Sequence, residues 1–206
     1  MAGRVSGVAR AGTLRSEQAE RTRNALIVIG RELFAEKGYF ATGTHEVVER
    51  AQVTRGALYH HFPQKEDLFR AVFHAVQSDL LNRSALEGEG LSGGQLWQAL
   101  RANLLRFLSA ATVPEVQRIL LRDGPAVLGW NEWRKLEAHY GLLPIAKALE
   151  DGMASGQVRR QPIEPLSLLI LAVVNEASLY IANASDPEQA IASTTIALDT
   201  LLTNLT

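Results

Sequence analysis

Thr44-His-Glu-Val-Val-Glu-Arg-Ala-Gln-Val-Thr-Arg-Gly-Ala-Leu-Tyr-His-His-Phe-Pro-Gln-Lys-Glu-Asp-Leu68 reads as two short helices joined by a tight turn. Thr44 is placed to N-cap the first, its side-chain oxygen taking a free N–H at the helix start, and Glu46 in the first turn suits the positive end of the helix dipole. That helix is expected to end near Gln52. Thr54 is placed to cap a second helix running through His61 and stopping at Phe62-Pro63, because proline has no N–H to continue the ladder. Val47, Val48, Ala51, Val53, Leu58 and Phe62 would form a small shared core, with Ala51 leaving room where the helices cross. Arg55, Ala57, Tyr59 and His60 are left pointing outward. This is the plan of a helix-turn-helix whose second helix is short enough to enter a DNA major groove end-on.

Upstream, residues Ser16 to Lys37 carry Ala25, Leu26, Ile29, Leu33 and Phe34 on one stripe, and Gly38 is placed to end that helix in the left-handed conformation. Downstream, Leu68, Phe69, Val72, Phe73, Val76 and Leu80 recur every three or four residues and predict a helix from about Lys65 to Leu86. The quoted stretch, with the preceding Leu33-Phe-Ala-Glu-Lys-Gly38, resembles the signature of the TetR family of transcriptional regulators over about the first third of the chain. Its most specific part is Leu58-Tyr-His-His-Phe62 followed by Lys65.

The resemblance implies DNA phosphates at Thr44, Tyr59, His60 and Lys65 and base edges near Arg55, Gly56 and Ala57, with Thr54 on the same surface. Two of these positions fit on physical grounds. Lys65 opens a helix, where a cation opposes the dipole unless an anion is near. Gly56 costs about 1 kcal/mol inside a helix relative to alanine, a cost easier to understand where another backbone or DNA approaches closely. Tyr59 as a core-edge aromatic and His60 as a solvated histidine are the bland alternatives. Gln52 stands where the family usually has glycine, which costs about 1 kcal/mol if the turn is left-handed.

Helical periodicity continues to the C-terminus without sustained two-residue alternation, so the chain is expected to be all-α, with about nine helices. A glycine-rich loop, Glu87 to Gly94, leads into a helix over about 95–110, and Pro114 starts a short one ending near Arg122. After a turn at Asp123-Gly124-Pro125, a segment from Trp130 to Ser155 contains Gly141 and Pro144 and should kink or break there. Two closing helices span Glu164 to Ala182 and Pro187 to Leu205. The expected organisation is a basic, flexible arm over 1–15, a helix-turn-helix domain over 16–64, and an effector-binding and dimerisation domain over 65–206.

With 206 residues, 47% hydrophobic, 21% charged and no cysteine, the chain can bury a core unaided, and disulfides and thiolate chemistry are excluded. Residues 1–70 carry net charge +3 and the remainder −4, which hints at a polyanionic partner for the first part. Met1 to Arg15, with Arg4, Arg10 and Arg15 and no acid, lacks the apolar stretch of a secretory signal, so the cytoplasm is the expected location. These arginines read equally as a DNA-contacting arm or a solvated tail. The longest apolar run, Leu168 to Val174, is too short to cross a bilayer, and no membrane partner is expected.

Nothing in the sequence nominates an enzyme, a metal site or a cofactor. Gly88-Glu-Gly90-Leu-Ser-Gly93 satisfies G-x-G-x-x-G, but a helix precedes it where a dinucleotide site needs a strand. His60 and His61 are adjacent, about 100° apart around a helix, and so cannot chelate together. The carboxylate pairs Glu66-Asp67 and Glu150-Asp151 suit helix ends.

In the C-terminal part, Trp130, Trp133 and Tyr140 share a helical face and read as core or as the lining of a pocket. Asn175 and Glu176 interrupt the most apolar helix, and a buried Glu176 needs either a ligand or an ion-pair partner such as Arg122 or Arg101. The family's habit of enclosing an effector among its middle helices implies a pocket drawn from Trp97, Arg101, Phe107, Arg122, Trp130, Trp133, Tyr140, Asn175, Glu176 and Tyr180. A mostly apolar small-molecule effector follows from that lining. The resemblance also implies a homodimer through the last two helices, with Leu166, Ile170, Ile191, Leu198, Leu202 and Leu205 as interface residues. Two heads would then read a pseudo-palindromic operator in double-stranded DNA, in major grooves about 34–36 Å apart. The expected activity is a repressor released by its effector, the alternative being a DNA-binding regulator without one.

Overall fold

The computed structural model describes the backbone of residues 5–85, 91 and 94–206, and the side chains of 16–81, 91 and 94–206. Among the described residues there is helix and no strand: α1 Val5–Lys37, α2 Thr44–Arg50, α3 Arg55–His61, α4 Lys65–Ala85, α5 Gln95–Ala110, a π-helical segment Val116–Asp123, α6 Gly124–Leu128, α7 Trp130–Ala154, α8 Ile163–Asn183 and α9 Pro187–Thr203. The chain divides into two compact units, 1–75 and 76–206.

The first unit is built on the stripes expected of it. Leu26, Leu33, Phe34, Val47, Leu58, Phe62, Leu68, Phe69, Val72 and Phe73 are buried together, while Val48, Ala51 and Val53 are half-buried. Gly38 ends α1 with φ 83, and its N–H returns to the Phe34 carbonyl at 2.9 Å. Two boundaries differ from expectation. The backbone of α1 is helical from Val5, across much of the segment expected to be an arm. The unit ends inside α4, not at residue 64, because the first turns of α4 supply Leu68, Phe69, Val72 and Phe73 to its core. Thr44 does not cap α2: Gly43 holds that position without a side-chain bond, and Thr44 is the first helical residue.

In the second unit, α7 packs against α5, α6 and α8, and α8 against α5, α7 and α9. The expected break in α7 does not occur. Trp133, Glu137, Ile145, Ala148, Leu149 and Gly152 are all buried along it, and such packing outweighs the roughly 3 kcal/mol that an interior proline costs. Gly141 serves close approach: a Cβ there would lie 2.6 Å from Leu171 Cδ1 on α8. The short helix expected to end near Arg122 is π-helical and runs on into α6 through the expected turn. The Leu120 carbonyl within it accepts the Trp133 indole N–H at 3.0 Å. By length and hydropathy alone α8 could cross a membrane, but it buries Ser167, Asn175 and Ser178 against neighbouring helices. The loop carrying Gly88 and Gly93 lies outside the described residues except at Leu91 and Gly94.

Candidate nucleic-acid interface and effector cavity

Thr54 sets the start of α3 as its spacing predicts, its Oγ1 accepting the Ala57 N–H at 3.1 Å. The turn before it is left-handed at Gln52, φ 53. With the helix anchored, Arg55, Gly56 and His60 are exposed and Ala57 half-buried. Arg55 sits over the Tyr59 ring at 5.5 Å, one turn further along. The Tyr59 hydroxyl is 3.5 Å from Thr44 Oγ1 on α2. Hydrogen bonding to Thr44, and then to Arg55, draws the Tyr59 phenol below its ordinary pKa. Thr44, Arg55 and Tyr59 therefore form one polar cluster on the outer edge of the helix-turn-helix. Beyond its chain neighbours and the backbone of its own helix, the nearest atom to a Cβ built at Gly56 is Thr54 Oγ1 at 3.8 Å, an ordinary contact, so packing within the chain does not call for glycine there.

Lys65 proves to be held by the protein itself. Its Nζ donates to the carbonyls of Tyr39 at 2.8 Å and Thr42 at 3.0 Å, 4.0 Å from the centre of the Tyr39 ring. Partial burial lowers its pKa. These carbonyl dipoles supply the negative environment for which the sequence argument required an anion. Buried Thr42 completes the clamp, its hydroxyl lying 2.8 Å from the Gly38 carbonyl. A lone threonine in a loop gave no warning of this.

The second unit holds a half-open cavity of about 490 Å³ among the end of α4, α5, α7 and α8. Its wall is mainly apolar, with Leu81, Leu100, Leu104, Phe107, Ile145 and Leu171 among the lining residues. Of the expected pocket residues it takes Phe107, Tyr140 and Asn175. The others are placed elsewhere. Trp97 and Trp133 are fully buried core, because large indoles fill the interior of the helix stack. Arg101 pairs with Asp199 at 2.7 Å, and Arg122 donates to the Ala182 carbonyl at 3.1 Å. Trp130, Glu176 and Tyr180 are exposed, so Glu176 is not the buried carboxylate expected.

That role belongs to Glu137. Gln77 Nε2 donates to its Oε1 at 2.7 Å across 60 residues of sequence. Burial pushes its carboxyl up to about 7, against the opposing effects of the Gln77 hydrogen bond and the Arg134 charge. A signal for Glu137 was present: it lies four residues from both Trp133 and Gly141 on the inward stripe of α7.

Three of the expected interface residues face inward, for Ile170, Leu198 and Leu202 are buried within the subunit, and Leu166, Ile191 and Leu205 are half-buried. The outward apolar stripe of α8 is instead Leu169, Val173 and Tyr180, flanked on α9 by Ile196 and Leu201.

Residues 26–72 match the family model described as bacterial regulatory proteins, tetR family, and residues 97–205 match a tetracyclin repressor-like C-terminal domain. The chain is similar to the Transposon Tn10 TetC protein of Escherichia coli, 31% identical over 60% of this chain and 61% of that protein. It is also similar to the HTH-type transcriptional regulator AcrR of Shigella flexneri, 30% identical over 51% of this chain and 48% of that one. The matched region thus spans about half to three fifths of these relatives' own lengths. The crystal structure of a TetR-family transcriptional regulator from Pectobacterium atrosepticum shares the fold with TM-score 0.81 and 31% identity, over 92% of this chain and 96% of that one.

Proposed function

The chain belongs to the TetR family of bacterial regulatory proteins, and we propose that it acts as a homodimeric repressor whose grip on a pseudo-palindromic operator is released by a small, mostly apolar molecule bound in the cavity of the second unit. The observation that carries this reading is the cavity itself: about 490 Å³, apolar-walled, and in the same unit as the outward apolar stripe of α8 and α9. The alternative without an effector has no use for such a space.

In this reading α3 enters the major groove. Arg55, Gly56 and Ala57 meet base edges, and Thr44, Thr54, Tyr59 and His60 meet phosphates. Lys65 acts mainly by fixing the loop before α2, so that Thr44 is presented at a constant height. The stripe of Leu169, Val173, Tyr180, Ile196 and Leu201 packs against its twofold mate, setting the spacing of the two heads. An effector that binds one subunit arrangement better than the other shifts the population away from operator spacing, and a coupling of about 1–3 kcal/mol changes DNA affinity about 5- to 150-fold. Such a regulator works in the cytoplasm, where the chromosome lies.

The test begins with selection of bound genomic fragments and a gel-shift salt titration on the recovered site. Tyr59→Ala should weaken all duplexes alike and reduce the salt slope, whereas Arg55→Ala should relax preference at particular base pairs. Ala99→Trp, which fills the cavity, should leave operator binding intact and abolish release by any compound that frees the wild-type protein from DNA. If both head variants bind as the wild type, the α3 assignment is wrong; if Ala99→Trp is still released, the effector acts elsewhere.

A further inference from the structure

One polar atom on the cavity wall has its hydrogen-bonding capacity unspent. Asn175 lines the cavity and is 4% exposed, and its Nδ2 has no hydrogen-bond partner among the described residues. An orphaned buried donor is costly, and most buried polar groups in folded proteins are paired. The carboxyl of Glu137, on the same wall, already takes the Gln77 N–H at Oε1, and its burial favours the uncharged form, which carries a hydroxyl of its own. Tyr140 and the exposed Lys147 are the other titratable groups on the wall.

Resting on the effector-cavity reading above, we infer that the effector is an uncharged molecule of up to about 20 non-hydrogen atoms at the packing density of a protein interior, apolar for most of its length, with a ketone, ester or amide oxygen that accepts the Asn175 Nδ2–H. A ligand ammonium could donate to the Asn175 Oδ1 but would leave the buried Nδ2 without an acceptor and would bring an unpaired charge against a mainly apolar wall. A ligand carboxylate would share the cavity with Glu137 and drive that carboxyl to stay protonated. An uncharged oxygen satisfies Asn175 and places no charge against a mainly apolar wall, where an unpaired charge is costly.

The test uses the whole protein and three probes of similar length: methyl decanoate, decanoate and undecylamine. Binding is followed by thermal shift and tryptophan fluorescence. Methyl decanoate is expected to raise the Tm and to bind about tenfold or more tightly than either charged probe. Asn175→Leu replaces the amide with an apolar group of similar volume. It should raise the Tm of the unliganded protein and weaken methyl decanoate about tenfold, whereas a merely structural asparagine would lower the Tm when replaced. Asn175→Ala also removes the donor, in a smaller side chain, and should weaken the ester likewise. Tighter binding of undecylamine or decanoate by the wild type, or ester binding unchanged in both variants, overturns the inference and leaves the effector cavity standing. If none of the probes binds, the cavity reading falls with it.

Discussion

In the first unit, Lys65 donates to the carbonyls of Tyr39 and Thr42, and the Thr42 hydroxyl is bonded in turn to the end of α1. In the second, the cavity wall keeps an amide N–H on Asn175 without an acceptor and a carboxyl on Glu137 that burial pushes up to about 7. The contrast follows from what each region has to meet. A duplex is a stiff partner approached from outside, and a reading surface gains from a framework whose own polar groups are spent internally. On the proposed reading, a cavity that takes a small molecule would lose affinity if its polar groups were already satisfied, and holding them in reserve costs stability.

The largest effect that would separate the two regions comes from the aromatic centre of the first unit. Phe34 is fully buried, with its ring centroid 5.4 Å from that of Phe69 and 5.8 Å from that of Tyr39. Phe34→Ala should cost about 3–5 kcal/mol and abolish operator retardation. All three tryptophans, Trp97, Trp130 and Trp133, lie in the second unit. Tryptophan fluorescence should therefore keep its wild-type melting transition while circular dichroism gains an earlier one. If both signals shift together, the units melt as one body and the contrast between them has no thermodynamic meaning.

The cavity side is sharpened by Glu137. Its folded pKa of about 7 lies above the ordinary 4.5, so the native state binds more protons than the unfolded state between those values. Stability falls as pH rises through that window, and the penalty is complete above about pH 7 at up to about 3 kcal/mol. Glu137→Gln should therefore stabilise the protein by about 2–3 kcal/mol at pH 8 and leave it nearly unchanged at pH 4.5, as read by urea denaturation at both pH values. An equal effect at both would mean that the carboxyl stays protonated or is wetter than its burial implies.

What the sequence made legible follows from the range of the interactions. The cap at Thr54, the glycine end of α1 and the exposure of Arg55, Tyr59 and His60 on α3 depend on neighbours three or four residues away and stand as expected, while Ala57 is half-buried. The clamp on Lys65 joins residues 23 and 26 positions apart, and the Gln77–Glu137 bond 60, distances at which spacing carries no information. Phe107 and Tyr140 line the cavity as expected, but reading it from its tryptophans erred for a related reason: a large indole is valuable wherever space must be filled, and Trp97 and Trp133 fill the core while Trp130 is exposed. Asn175 was legible because an amide in an otherwise apolar helix has few harmless places to go. Turn chemistry at Thr44 misled because Gly43, one residue earlier, already holds the extended conformation that a cap position needs, at φ −86 and ψ 146.

The smallest effect tests whether the reading surface is free of stored strain. Gln52 is the one non-glycine with positive φ among the described residues, at 53°, between α2 and α3. A left-handed conformation costs an L-residue about 1–2 kcal/mol, and glycine avoids that cost while giving back about 0.5–1 kcal/mol through its freer unfolded chain. Gln52→Gly should therefore stabilise the first unit by about 0.5–1 kcal/mol, a rise of a few degrees in its melting transition. The exposed glutamine side chain anchors nothing else in the described contacts, and the turn keeps its bonds from Gln52 N–H to Glu49 and from Val53 N–H to Val48. Operator affinity in a gel shift should stay within about twofold, well under the tenfold that 1.4 kcal/mol represents. A variant that is more stable yet binds DNA many-fold more weakly would show that the first unit too holds something back for its partner, in the backbone of its turn.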